Sequence, residues 1–151
     1  LAAKTETMLF TIGYEGLSLE AYLVKLILNN VRVLCDVRKN AYSRKFGFSK
    51  AILSNACKGV GIKYVHIPEL GIESEERQDL HCQADYDKLF ETYEKTALKA
   101  HWSYLHIIID LLASNKRVAL TCFEKSPCMC HRSRVAQAVT TLLNDLPLTN
   151  I

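Results

Sequence analysis

Strand-length apolar runs alternate with amphipathic helical stripes along almost the whole chain, and this alternation leaves few architectures open. Met8 to Tyr14 reads as a first strand. From Ser18 to Asn29 the residues Leu19, Tyr22, Leu23, Leu26 and Ile27 recur at helical spacing, with Ser18 placed to cap the helix. Arg32 to Arg38 is a second strand, and a helix from Ser49 carries Ile52, Leu53, Ala56 and Cys57 before stopping near Gly59 or Gly61. Lys63 to Ile67, closed by Pro68, is a third strand, and Arg117 to Cys122 is a fourth. Between these two lie a polar loop from Gly71 to Gln83 and two more stripes. One holds Tyr86, Leu89, Phe90, Tyr93 and Ala97; the other holds Trp102, Leu105, Ile108, Ile109 and Leu112. A last helix shows Val135, Ala138, Val139, Leu142 and Leu146.

β-Rich runs joined by helices predict an α/β fold: one three-layer domain over residues 1–151, with a mainly parallel sheet of four or more strands and helices on both faces. A chain of 151 residues buries a core without staples. The net charge of +3 neither requires nor excludes nucleic acid as a partner. Of six cysteines, Cys35 and Cys122 fall in strands and Cys57 on a helix, as core thiols do, whereas Cys82, Cys128 and Cys130 are loop-borne. This usage predicts a reducing, cytoplasmic setting. No apolar run reaches membrane-spanning length, so no membrane partner is expected.

Right-handed crossovers bring the start of every helix to the carboxyl edge of such a sheet, where ligands bind. The chemically capable residues fall there: Gly13 and Tyr14 after the first strand, Asp36, Arg38 and Arg44 after the second, Glu69 after the third, and Glu124, Cys130, His131 and Arg132 after the fourth. Asp36 and Arg38 make either a structural ion pair or an anion site with its acid or base. Cys130, His131 and Arg132 sit at a helix start, which attracts anions and lowers a thiol pKa. The loop from Lys39 to Phe48 interleaves cations and aromatics, which suits bases and phosphates or a loop folded back on the core.

Two sharper patterns fit poorly. Cys128 and Arg134 have the Cys-x5-Arg spacing of cysteine phosphatases but no glycine in the cradle. Cys122, Cys128, Cys130 and His131 lack a paired Cys-x2-Cys knuckle, so no metal is assigned. No P-loop or dinucleotide fingerprint is present, and no cofactor is assigned.

Four motifs carry a family resemblance: Thr11-Ile12-Gly13-Tyr14; Asp36-Val37-Arg38 with Ser43-Arg44-Lys45; His66-Ile67-Pro68-Glu69-Leu70-Gly71; and Cys122-Phe123-Glu124 with Cys130-His131-Arg132. From about Leu9 to Leu143 the chain resembles the family catalogued as domain of unknown function 488. The resemblance implies a compatible α/β fold and recurring polar positions at Gly13, Asp36, Arg38, Arg44, Glu69, Glu124, Cys130, His131 and Arg132. It names no reaction. Ala41 departs from the family, where proline is frequent, and Cys128 and Arg134 look peculiar to this chain.

The reading that follows is a polar, arginine-lined cleft at the carboxyl edge that binds or acts on a small anion, a nucleotide or a phosphorylated metabolite. Arg38, Arg132 and His131 would hold the ligand with Gly13, Tyr14, Arg44 and Glu69 around it. Asp36, Glu124 and Cys130 would be its catalytic groups. The alternative is a non-enzymatic module that meets nucleic acid or protein through the loop 39–48.

Overall fold

The runs of β-branched and aromatic residues form strands and the stripes form helices, in a computed structural model that describes residues 6–151. Residues 1–5 of the expected domain lie outside the described residues. Strand β1 (Met8–Gly13) leads to helix α1 (Leu19–Leu28), and β2 (Val33–Asp36) leads to α2 (Lys50–Gly59). After β3 (Lys63–His66) come α3 (Gln83–Lys95), α4 (Ala97–Ala100) and α5 (Leu105–Asn115). The chain ends with β4 (Arg117–Cys122), α6 (Arg132–Leu142) and β5 (Leu148–Asn150). The sheet order is β3-β2-β4-β1-β5, and every neighbouring pair is parallel.

Alternation along the strands separates two cores. Leu9, Val33, Cys35, Val118 and Leu120 face α3 to α6, whereas Phe10, Ile12, Leu34 and Ala119 face Tyr22 and Leu26 of α1 and Leu53 and Cys57 of α2. The cause is direction. The path β1, β2, β3 moves one way across the sheet, and the return to β4 and on to β5 moves the other way. With one hand for all crossovers, reversal puts the later helices on the opposite face. Strand β4 lies at the centre of the switch, because both neighbours send their chains to one face while β4 sends its own to the other. Crevices therefore open on either side of its carboxyl end.

Four details differ from the sequence reading. Strand β2 ends at Asp36 rather than Arg38, and α6 ends at Leu142, short of Leu146. The polar stretch 71–83 contains a 3-10 turn, Ser74–Arg77. Strand β5 is an addition: its three exposed residues carry no hydrophobic alternation, yet it pairs with β1, and Ile151 N donates to Thr11 O at 2.9 Å. No helix among the described residues is long and apolar enough to cross a membrane.

Candidate functional site

Asp36 closes β2, and Arg38 folds back over it once the chain has left the strand. Arg38 Nε and Nη2 donate to the two carboxylate oxygens at 2.8 and 2.6 Å. Its Nη1 donates to Phe48 O at 2.6 Å and to the Tyr14 hydroxyl at 3.2 Å. The Tyr64 hydroxyl donates to Asp36 Oδ2 at 2.5 Å, and Arg38 N donates to Oδ1 at 3.2 Å. Each buried carboxylate oxygen thus accepts two hydrogen bonds, which offsets the cost of removing the pair from water. Burial opposes the charge on Arg38 and Asp36 outweighs it, so the guanidinium stays protonated. Tyr14 stacks on Phe48 at 4.5 Å between centroids and lies under the guanidinium.

The loops after β1 and β4 meet backbone to backbone. A Cβ on Gly13 would overlap the Glu124 carbonyl oxygen and crowd Arg132 Nη1. Arg132, the first residue of α6, donates from Nη1 to Glu124 O at 2.6 Å and from Nη2 to Lys125 O at 3.3 Å. It is 1% exposed, has no carboxylate partner among the described residues, and its Nε has no hydrogen-bond partner. A buried guanidinium held only by carbonyl oxygens carries uncompensated charge.

On the other side of the β4 loop, two thiols and an imidazole converge. Cys122 is the last residue of β4, and Cys130 and His131 immediately precede α6; all three are buried. Both Sγ atoms and a ring nitrogen of His131 lie within 4.8 Å of one another. Cys122 Sγ is 3.7 Å from His131 Nδ1 and 3.7 Å from Glu124 Oε2. His131 Nε2 is 2.7 Å from Val37 O. A carbonyl only accepts, so Nε2 carries a proton and Nδ1 is the ring nitrogen turned to the thiols. A hydrogen bond from Cys130, then His131 and Arg77, hold the Cys122 thiol well below its ordinary range. Burial and the adjacent Cys122 push Cys130 well up. Burial, reinforced by the Cys122 charge, also raises Glu124, whose Oε1 pairs with Arg77. Cys122, Cys130 and His131 are the one group of His, Cys, Asp and Glu donors among the described residues close enough to share a metal ion.

Two cavities flank this loop. One, of about 150 Å³, takes lining from all four strand-to-helix connections, including Tyr14, Arg38, Lys39, Arg77 and Cys122. The other, of about 260 Å³, is lined by Gly13, Glu15, Gly16, Lys25, Lys125 and Arg132 among others. Arg38 and Arg132 therefore line separate chambers. Gly13 lines the larger and Tyr14 the smaller; Asp36, Glu124, Cys130 and His131 contact the lining residues Arg38, Arg132 and Cys122 without lining either cavity themselves, Arg44 is exposed, and Glu69 sits in the 3-10 turn Pro68–Leu70 away from both linings. Cys128 and Arg134 line an open groove elsewhere, with Arg134 held by Glu94 at 2.9 Å.

The sequence reading passed over two residues at this edge. Cys122 was assigned to the core, and it is buried, but as the last strand residue it also borders the smaller cavity. Arg77 comes from the polar stretch after β3, and nothing in its local pattern separates it from its neighbours. His66, the last residue of β3, bonds Arg38 O through Nε2 at 2.8 Å.

The family model described as Domain of unknown function DUF488 matches residues 18–139, most of the chain. The protein belongs to the DUF488 family. No curated protein and no solved structure matches the chain. In this DUF488 domain the matched region includes Asp36, Arg38, Cys122, Glu124, Cys130, His131 and Arg132 and excludes Gly13.

Proposed function

We propose that this DUF488 domain binds a small anion at the carboxyl edge of its sheet, in the cavity bounded by Gly13, Lys125 and Arg132. The observation that carries the reading is the Arg132 guanidinium, buried without a counter-charge and with Nε unpartnered. Lys25 and Lys125 line the same cavity without ion-pair partners among the described residues, against one carboxylate, Glu15. Arg38 takes the structural role instead, since its donors are committed to Asp36, Phe48 O and Tyr14.

Size narrows the ligand class. A volume of about 260 Å³ is below the range of about 300–1,000 Å³ that encloses a drug-sized molecule. It suits a phosphate-sized head with a small substituent. Isothermal titration with inorganic phosphate, sulfate, nucleoside monophosphates and sugar phosphates tests the reading. Lys125→Ala is expected to weaken a hit by about 10-fold, the worth of one charge-assisted hydrogen bond. Arg44→Ala should leave it unchanged. The reading fails if no anion binds, or if Lys25→Ala with Lys125→Ala binds as the parent does.

One observation favours the alternative. In the loop 39–48, Phe48 is buried, but Tyr42 is 67% and Phe46 76% exposed beside exposed Arg44. Exposed rings next to cations suit single-stranded nucleic acid. That reading predicts a gel shift at low salt that weakens steeply with salt and is lost in Tyr42→Ala with Phe46→Ala. Absence of any shift removes it.

A further inference from the structure

We propose that Cys122, Cys130 and His131 form a binding site for a thiophilic divalent cation of the zinc class, with Glu124 drawn in from beside Cys122 as the fourth ligand. The inference does not rest on the anion reading, because Arg132 faces the other cavity. Four observations carry it.

The donor atoms converge. Tetrahedral zinc with sulfur at about 2.3 Å and nitrogen at about 2.0 Å separates its ligand atoms by roughly 3.5–3.8 Å. Cys122 Sγ stands 3.7 Å from His131 Nδ1 and 3.7 Å from Glu124 Oε2. The second sulfur lies within 4.8 Å of Cys122 Sγ and the His131 ring nitrogen, so these three donors close on the cation after shifts of a few tenths of an ångström to about 1 Å, while Glu124 swings in from its place beside Cys122.

The donors are also oriented. The Val37 carbonyl fixes the proton of His131 on Nε2, the outer-sphere arrangement that aims an imidazole lone pair at a metal. Arg77 pairs with one oxygen of Glu124 and leaves the other directed at the thiols.

The charges balance. Two thiolates neutralise a divalent ion, the imidazole is neutral, and Glu124 is matched by Arg77. Binding releases the thiol proton of Cys130 to solvent.

The site has mechanical sense as well. Cys122 ends the central strand, Cys130 and His131 open α6, and His131 reaches the end of β2. A cation there would clamp three elements at the carboxyl edge. Cys122 also borders the smaller cavity, so the cation would sit next to that chamber.

The test uses the full chain purified without chelator. Elemental analysis is expected to find about one equivalent of zinc, or to find it after zinc is supplied and excess removed. Cobalt(II) titrated into the stripped protein should give a thiolate-to-cobalt band in the near ultraviolet with intense tetrahedral bands in the visible. Cys130→Ser and His131→Gln should abolish both, and Arg77→Gln should weaken binding by about 10-fold or more. Cys82→Ser and Cys128→Ser, at the two exposed cysteines, should change nothing. If the site variants do not fold, the stripped parent decides: zinc must raise its urea midpoint, as a ligand of the folded chain does, and must raise that of Cys82→Ser with Cys128→Ser equally. Sub-stoichiometric metal with no charge-transfer band, a band that survives Cys130→Ser, or a urea midpoint of the parent unmoved by zinc overturns the proposal. Phosphate binding measured on Cys130→Ser separates its failure from failure of the anion reading.

Discussion

At the scale of single residues, the edge is governed by what its polar groups already hold. Asp36 and Arg38 were legible as chemistry-bearing residues, but not as a closed pair. Strand alternation with Val37 between them would have kept Arg38 in line with Asp36. The strand instead ends at Asp36, and Arg38 turns back on it. Only the geometry decides between ion pair and ligand anchor. Gly13 is a sharper case, because it has no side chain to read and its value lies in the carbonyl oxygen it leaves room for. Gly13→Ala is expected to lose at least about 2 kcal/mol in urea unfolding, since the atoms it would overlap, the carbonyl carbon and oxygen of Glu124, are backbone and cannot swing away. Gly16→Ala makes a useful contrast. Nothing lies within 4 Å of its added Cβ, and any cost there comes from the positive φ of 79° alone.

At the scale of elements, the four expected strands and the main helices were legible because they are buried on one face or both. Strand β5 was not, because three exposed residues at a sheet edge need only backbone pairing. The two cores make a prediction about alkaline pH. Burial, with a smaller contribution from Asp36, pushes the thiols of Cys35 on β2 and Cys57 on α2 up to about 12. Unfolded, each ionises near the ordinary cysteine value of about 8.5. Between those values the unfolded chain has lost protons that the folded chain keeps, so stability falls as pH rises. It is fully present below about pH 8.5, and each thiol removes up to about 1.4 kcal/mol per pH unit above it. Urea midpoints from pH 7 to 11 should show the decline, and Cys57→Ala should make the slope shallower. An unchanged slope would mean that Cys57 is accessible to solvent.

For the whole molecule, the alternation of strands and helices dictated a parallel sheet, but strand order was beyond it. Order depends on which crossovers skip a neighbour, and β1 to β2 skips the place that β4 later fills. The family match makes this testable, because residues 18–139 omit both β1 and β5. Strand β1 lies between β4 and β5 and supplies Leu9 to one core and Phe10 and Ile12 to the other. A fragment limited to the matched residues is expected to show no cooperative urea transition, whereas residues 6–151 should show a single one. A cooperative transition in the shorter fragment would mean that the sheet closes without one of the two strands that flank its centre.

Glu124 has a double allegiance. Its carboxylate looks towards the thiols and Arg77, while its carbonyl oxygen receives Arg132 from the opposite chamber. It is a party wall one residue thick, kept rigid by the bare Cα of Gly13 behind it. Any occupant of one room that tilts this peptide is felt in the other, and by reciprocity the second tenant influences the first to the same degree.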